Sequence, residues 1–140
     1  MSGNQFKGTL PAGLSKLTGL EWFQLDMNQL TGTIPTEYAG MKRLHTIKAG
    51  NNQLTGTLPE FFGDLRFTHI AVEKNQLTGE VPTVLGKLSL LKDLHLEKNN
   101  LAGTMPEEIC ELLGDGKHLE TLTSDCKEPK VECSCCTDCY

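Results

Sequence analysis

The chain has 140 residues, 38% of them hydrophobic, which is enough for one continuous core. Its 13 basic residues are outnumbered by 18 acidic ones, for a formal charge of −5, and they do not cluster with aromatics, so nucleic acid is not expected as a partner. No apolar run is long enough to span a bilayer, so no membrane contact is expected from this segment itself.

From the N-terminus, one phrase recurs: NQFKGTLP from Asn4, NQLTGTIP from Asn28, NQLTGTLP from Asn52, NQLTGEVP from Asn75 and NNLAGTMP from Asn99. The asparagines step by 24, 24, 23 and 24 residues. A fixed period in this range predicts one supersecondary unit stacked on itself. The first copy is cut short, because Met1 stands three positions before Asn4, where Leu25, Ala49, Val72 and Leu96 stand in later copies. The chain is therefore expected to open inside a strand without a polar cap. It would then be the C-terminal part of a longer chain, stacked on upstream repeats, or lie against a partner.

Within each repeat, apolar residues fall eight, five and three positions before the asparagine: Leu20, Phe23, Leu25; Leu44, Ile47, Ala49; Phe67, Ile70, Val72; Leu91, Leu94, Leu96. The last two of each trio are two apart, the period of a strand with one buried face. One such strand per repeat predicts a parallel sheet. After the asparagine, Leu30, Ile34, Tyr38 and Met41 in one repeat, and Leu101, Met105, Ile109 and Leu112 in another, fit an irregular turn followed by a turn of helix. Pro11, Pro35, Pro59, Pro82 and Pro106 set φ where that helical turn begins.

Asn28, Asn52, Asn75 and Asn99 have a structural reading. Where the chain turns inward after the strand, backbone groups lose their ladder partners. A column of side-chain amides, each with donors and an acceptor, can satisfy them.

Strand alternation also names the outward face: Trp22, Gln24, Asp26; Thr46, Lys48, Gly50; His69, Ala71, Glu73; Asp93, His95, Glu97; Thr121, Thr123, Asp125. Candidate binding residues on it are Trp22, Gln24, Asp26, Lys48, His69, Glu73, Asp93, His95 and Glu97. Asp26, Glu73, Glu97 and Asp125 form an acidic column, flanked by Met27, Asn51, Lys74 and Lys98, and the lysines can pair with the glutamates across repeats. Trp22 is either a binding anchor or a residue covered by an upstream repeat. His69, Asp93 and His95 can approach one another, but the open sheet and the lack of a third strong ligand argue against a metal or catalytic centre. No catalytic residue, metal or cofactor is expected. Two threonine columns, Thr31, Thr55, Thr78 and Thr9, Thr33, Thr57, Thr104, suggest a remote ice-binding alternative, broken at Lys7, Glu80 and Ala102.

Residues 1–112 are read as about five repeats, and residues 113–140 as a last strand around Leu119 and Leu122 with a cysteine-rich cap. The strand follows a four-residue insertion near Gly114-Asp115-Gly116. All six cysteines lie in this region: Cys110, Cys126, Cys133, Cys135, Cys136 and Cys139. Disulfides sealing the solenoid end are expected, with connectivity open among fifteen pairings. The alternative is zinc held by Cys133, Cys135, Cys136 and Cys139.

The pattern LxxLxLxxNxLxGxIP resembles the plant-type leucine-rich repeat. The resemblance implies a right-handed α/β solenoid with a parallel concave sheet, and a second, shorter strand formed by the Gly-x-Ile-Pro segments. Ile109-Cys110, Leu119, Leu122, Asp125-Cys126 and Val131 to Cys139 resemble the C-terminal end of diatom and algal extracellular leucine-rich repeat proteins. That implies an extracellular or cell-surface location, reached through the secretory pathway. The expected function is a non-enzymatic module for recognition or adhesion, part of a longer receptor-like protein, with a protein or peptide ligand. The alternative is a structural component packed against neighbouring subunits of an assembly.

Overall fold

The computed structural model describes residues 4–126 and 131–140. The strand expected to begin at Met1 lies outside the described residues. Six parallel strands form the main sheet, and they add in chain order: Trp22–Gln24, Thr46–Lys48, His69–Ala71, Asp93–His95, Thr121–Ser124 and Asp138–Cys139. Phe23, Ile47, Ile70, Leu94 and Leu122 stand in register along its middle and point into the core. This is the alternation that period-2 hydrophobicity demands.

Short helical turns form the opposite layer. Four are 3₁₀ turns, Ala12–Lys16, Thr36–Gly40, Glu60–Asp64 and Thr83–Lys87, and the fifth is the α-helical turn Glu107–Cys110. Each is entered from one of the five recurring prolines, whose φ of −58 to −72° matches the ring constraint. Tyr38, Phe62, Leu85 and Ile109 are buried beneath the later four. The Tyr38 hydroxyl donates to Pro11 O at 3.0 Å, and burial, with Glu37 adding to it, pushes its pKa up to about 12.

The secondary strands lie slightly earlier than the resemblance implied. They cover Lys7–Thr9, Gln29–Gly32, Gln53–Leu54, Thr78–Gly79 and Asn100–Leu101, mostly on the Gln-Leu-Thr-Gly residues; Gly103–Thr104, like Gly8 and Thr9 of the first strand, falls on the Gly-x-Ile-Pro segment. A methyl-over-glycine contact locks this lateral face. A Cβ on Gly56 would lie 2.8 Å from the Thr33 methyl, and Gly56 has φ of +80°, so glycine is required there on both counts. Thr9 packs over Gly32 and Thr57 over Gly79 in the same way. Much of the second threonine column is therefore stacking hardware.

The asparagines occupy the turn after each main strand. Asn52 Nδ2 donates to Leu25 O and Ala49 O, Asn75 Nδ2 to Ala49 O and Val72 O, and Asn99 Nδ2 to Val72 O and Leu96 O. Their Oδ1 atoms accept the N–H of Leu30, Leu54 and Leu77 from the preceding repeat. The residue before each asparagine, Met27, Asn51, Lys74 or Lys98, holds a left-handed φ of 54 to 57°. Such a conformation is costly for a side chain with Cβ. Repetition beside each ladder asparagine marks it as the bend that turns the amide inward.

The tail holds two strands that hydrophobic periodicity does not reveal. Val131–Glu132 pairs with Gly103–Thr104 on the lateral face, and Asp138–Cys139 pairs with Thr121–Ser124 on the main sheet. Thr137 serves the Leu122 backbone on both sides, its Oγ1 accepting from Leu122 N at 3.0 Å and donating to Leu122 O at 2.9 Å.

Candidate functional site

The main sheet carries an open groove of about 560 Å³ across its middle strands, bordered by Gln24, Asp26, Lys48, His69, Glu73, Asp93, His95 and Glu97. The candidates named from alternation thus converge on one surface, Trp22 excepted. Trp22 stands on the edge strand, 59% exposed, with its ring edge-on to His45 at 5.1 Å between centroids. It lines a second cavity, together with Phe6, Leu17 and Phe23.

The outward face is not uniformly free. Thr46, Thr123, Glu97 and Asp125 are buried. Glu97 accepts a short hydrogen bond from the Thr123 hydroxyl, and Asp125 Oδ2 accepts from Asn99 N at 2.9 Å. The C-terminal half of the acidic column therefore takes part in closing the stack. Imidazole–carboxylate contacts join His45 to Glu21 at 3.8 Å and His69 to Asp93 at 3.2 Å, and among the described residues no lysine–glutamate pair of the kind the sequence allowed is seen.

Thr68 and Thr123 set the two groove histidines, and sequence reading missed both roles. Thr68 Oγ1 donates to His45 O at 3.0 Å and lies 2.8 Å from His69 Nδ1, while Asp93 holds the other ring nitrogen. His95 Nδ1 lies 3.1 Å from Thr123 Oγ1. The His69 and His95 rings are thus oriented by separate partners. A Thr–His–Asp chain exists, but the hydroxyl hydrogen is committed to a backbone carbonyl, and the open sheet does not exclude water as nucleophilic catalysis requires.

Gly50 interrupts the acidic column between Asp26 and Glu73. A Cβ there would fall 2.1 Å from Glu73 Oε1, so the Glu73 carboxylate lies over the notch that glycine leaves. Its Oε2 is buried and has no hydrogen-bond partner. Burial raises the Glu73 pKa above the ordinary carboxylate range; Glu97 and Asp26 add to the rise, while a backbone hydrogen bond and His95 oppose it. The signal available in sequence was Gly50 itself, a glycine where the neighbouring repeats carry Asp or Glu.

The sign of the linkage follows. A carboxyl whose pKa is raised by folding favours the fold while protonated, and that contribution is lost as pH rises through the folded pKa. Glu73→Gln keeps the shape and removes the charge. Its melting temperature is expected to match the parent at about pH 4 and to exceed it at neutral pH. A variant equally stable or less stable at neutral pH would show that the carboxylate is adequately solvated.

The six cysteines form three disulfides, Cys110–Cys135, Cys126–Cys139 and Cys133–Cys136. The Cys126, Cys133 and Cys136 sulfurs lie within 4.8 Å of one another, which shows how compact the cap is. Zinc binding there would require thiolates, and each of these sulfurs is consumed in a disulfide. Among the described residues, no helix is long and apolar enough to cross a membrane.

The Leucine Rich Repeat family matches residues 43–65 and 90–112. No curated protein sequence matches the chain. Several solved structures do. The plant peptide hormone receptor RGFR1 in complex with RGF2 aligns with a TM-score of 0.79 at 36% identity, over 89% of this chain and 20% of its own. The Arabidopsis receptor kinase HAESA, in complex with the peptide hormone IDA and the co-receptor SERK1, aligns with a TM-score of 0.79 at 29% identity, over 85% of this chain and 20% of its own. A plant ice-binding protein aligns with a TM-score of 0.80 at 25% identity, over 94% of this chain and 41% of its own. The chain thus spans about a fifth of the length of the two receptor chains.

Proposed function

Because the chain is a leucine-rich repeat protein of the plant type, closed by a disulfide-stapled cap, we propose that it recognises an extended peptide or protein segment along its main sheet, as an extracellular or cell-surface module. The observation that carries this reading is the open groove across the middle strands, where Lys48, Asp93 and the two oriented histidines present both charge signs. Six strands at about 4.8 Å spacing span about 24 Å, the reach of about eight extended residues. The RGFR1 and HAESA chains, similar to this one, were solved with peptide hormones. Three disulfides support an oxidising compartment. The lateral threonines support ice binding less well, because the Thr9, Thr33 and Thr57 methyls cover the glycines of the next repeat, and Lys7, Glu80 and Ala102 break the regular array.

The test is selection of binders from a displayed library of random peptides about eight residues long, followed by calorimetry. The Lys48→Ala/Asp93→Ala double variant is expected to bind the selected peptides at least about tenfold more weakly, with unchanged melting, since neither side chain is part of the core. Peptides that bind the double variant as tightly as the parent would place recognition away from this groove.

A further inference from the structure

The three disulfides of the cap are not independent staples. The Cys126, Cys133 and Cys136 sulfurs lie within 4.8 Å of one another, and the Cys133 and Cys135 sulfurs are 4.0 Å apart. Each of the bridges Cys110–Cys135, Cys126–Cys139 and Cys133–Cys136 therefore has a sulfur beside a sulfur of another. Stapling strands together does not require bridges in contact. Exchange between bridges does, because a thiolate must reach the sulfur that it attacks.

Exposure singles out one of the six cysteines. Cys139 is exposed, while the other five are half-buried. Its strand does not depend on the bridge to Cys126 alone. Thr137 N donates to Leu122 O at 2.8 Å, Tyr140 N donates to Ser124 O at 3.0 Å, and Thr137 Oγ1 bonds to both sides of the Leu122 backbone. Cys126 is anchored separately, since the preceding Asp125 is buried and accepts from Asn99 N at 2.9 Å. Opening Cys126–Cys139 thus leaves both chain segments seated and keeps the freed Cys126 sulfur beside Cys133 and Cys136.

We propose that the cap is a thiol–disulfide exchange site that captures an incoming thiol at Cys139. The incoming thiol loses its proton to solvent, and the thiolate attacks Cys139 Sγ. A mixed disulfide forms, the Cys126–Cys139 bond breaks, and Cys126 leaves as a thiolate. Cys126 then attacks the adjacent Cys133–Cys136 bridge, bonds to one of its sulfurs and releases the other, which takes up a proton. Two disulfide bonds form and two break, so no oxidant or reductant is consumed. The second step joins sulfurs already held in one cluster, and it competes with the return of Cys126 to Cys139. None of these cysteines borders the concave groove, so the exchange site is separate from the peptide surface.

The test uses the whole chain with its bridges intact. It is incubated at about pH 8 with about 1 mM glutathione, where part of the thiol is ionised, then quenched with acid and mapped by digestion and mass spectrometry. The expected product carries one glutathione, on Cys139, with Cys126 joined to Cys133 or Cys136 and Cys110–Cys135 intact. A folded protein bearing a single surface cysteine is the second probe. A mixed disulfide with it extends the site to protein thiols, and a glutathione adduct alone restricts it to small ones. Cys133→Ser/Cys136→Ser removes the receiving bridge. With the fold unchanged by circular dichroism, its adduct is expected to be at least about tenfold less abundant, because the freed Cys126 expels the glutathione again. An adduct on another cysteine, an adduct on Cys139 with Cys126 left as a thiol, or no adduct on the folded chain would overturn the proposal. So would an adduct undiminished in the double variant.

Discussion

Asn75→Ala is expected to lower stability by about 3–4 kcal/mol, read as the shift in urea midpoint at constant slope. The Leu54 N–H loses its Oδ1 acceptor and is left buried, which alone costs about 1–3 kcal/mol. The bonds to Ala49 O and Val72 O are lost as well, but each carbonyl keeps one neighbour, from Asn52 and Asn99 respectively. This sharing makes a sharper prediction. Asn52→Ala/Asn75→Ala strips Ala49 O of both asparagines, so the double variant should lose more than the sum of its parts. Asn75→Asp keeps an acceptor for Leu54 but turns a carboxylate toward two carbonyls, and should be no better than alanine. A single variant within about 1 kcal/mol of the parent would mean that the ladder is replaced by water at little cost.

Cys110→Ser/Cys135→Ser is expected to cost about 3–4 kcal/mol on chain entropy, for a separation of 25 residues. The bridge joins the last helical turn, Glu107–Cys110, to the tail that supplies the two capping strands. Without it, Leu119, Leu122 and Val131 at the end of the core lose their cover first. Hydrogen exchange should therefore rise in residues 119–126 and 131–140 before it rises in the middle repeats, and a reductant should act in the same order. Exchange indifferent to reductant but raised by a chelator would return the cap to a metal-held reading.

The repeat, the register of the main strands, the prolines and the ladder asparagines were all legible because a solenoid places the same demand at the same spacing. Leu94 and Ile70 are apolar for the same reason, and each copy of the phrase confirms the others. The groove residues were also legible as a set, since strand alternation assigns faces without tertiary information. What each does there was not. Glu97 and Glu73 hold equivalent positions, yet Glu97 bonds to Thr123 and Glu73 leaves an oxygen unpartnered. The difference lies in the following strand at one and in the absent side chain of Gly50 at the other.

Sequence by itself determined the stacking unit, its period and its inward face, because these are local rules repeated in each copy. Tertiary structure alone decided the disulfide pairing, the two short strands of the tail, the burial of half the acidic column and the exposure of Trp22. Each of these depends on what lies against the residue from a neighbouring repeat or from the tail. The tail shows it most clearly, because its two short strands are placed by pairing with Gly103–Thr104 and Thr121–Ser124 and by disulfides that no hydrophobic period announces.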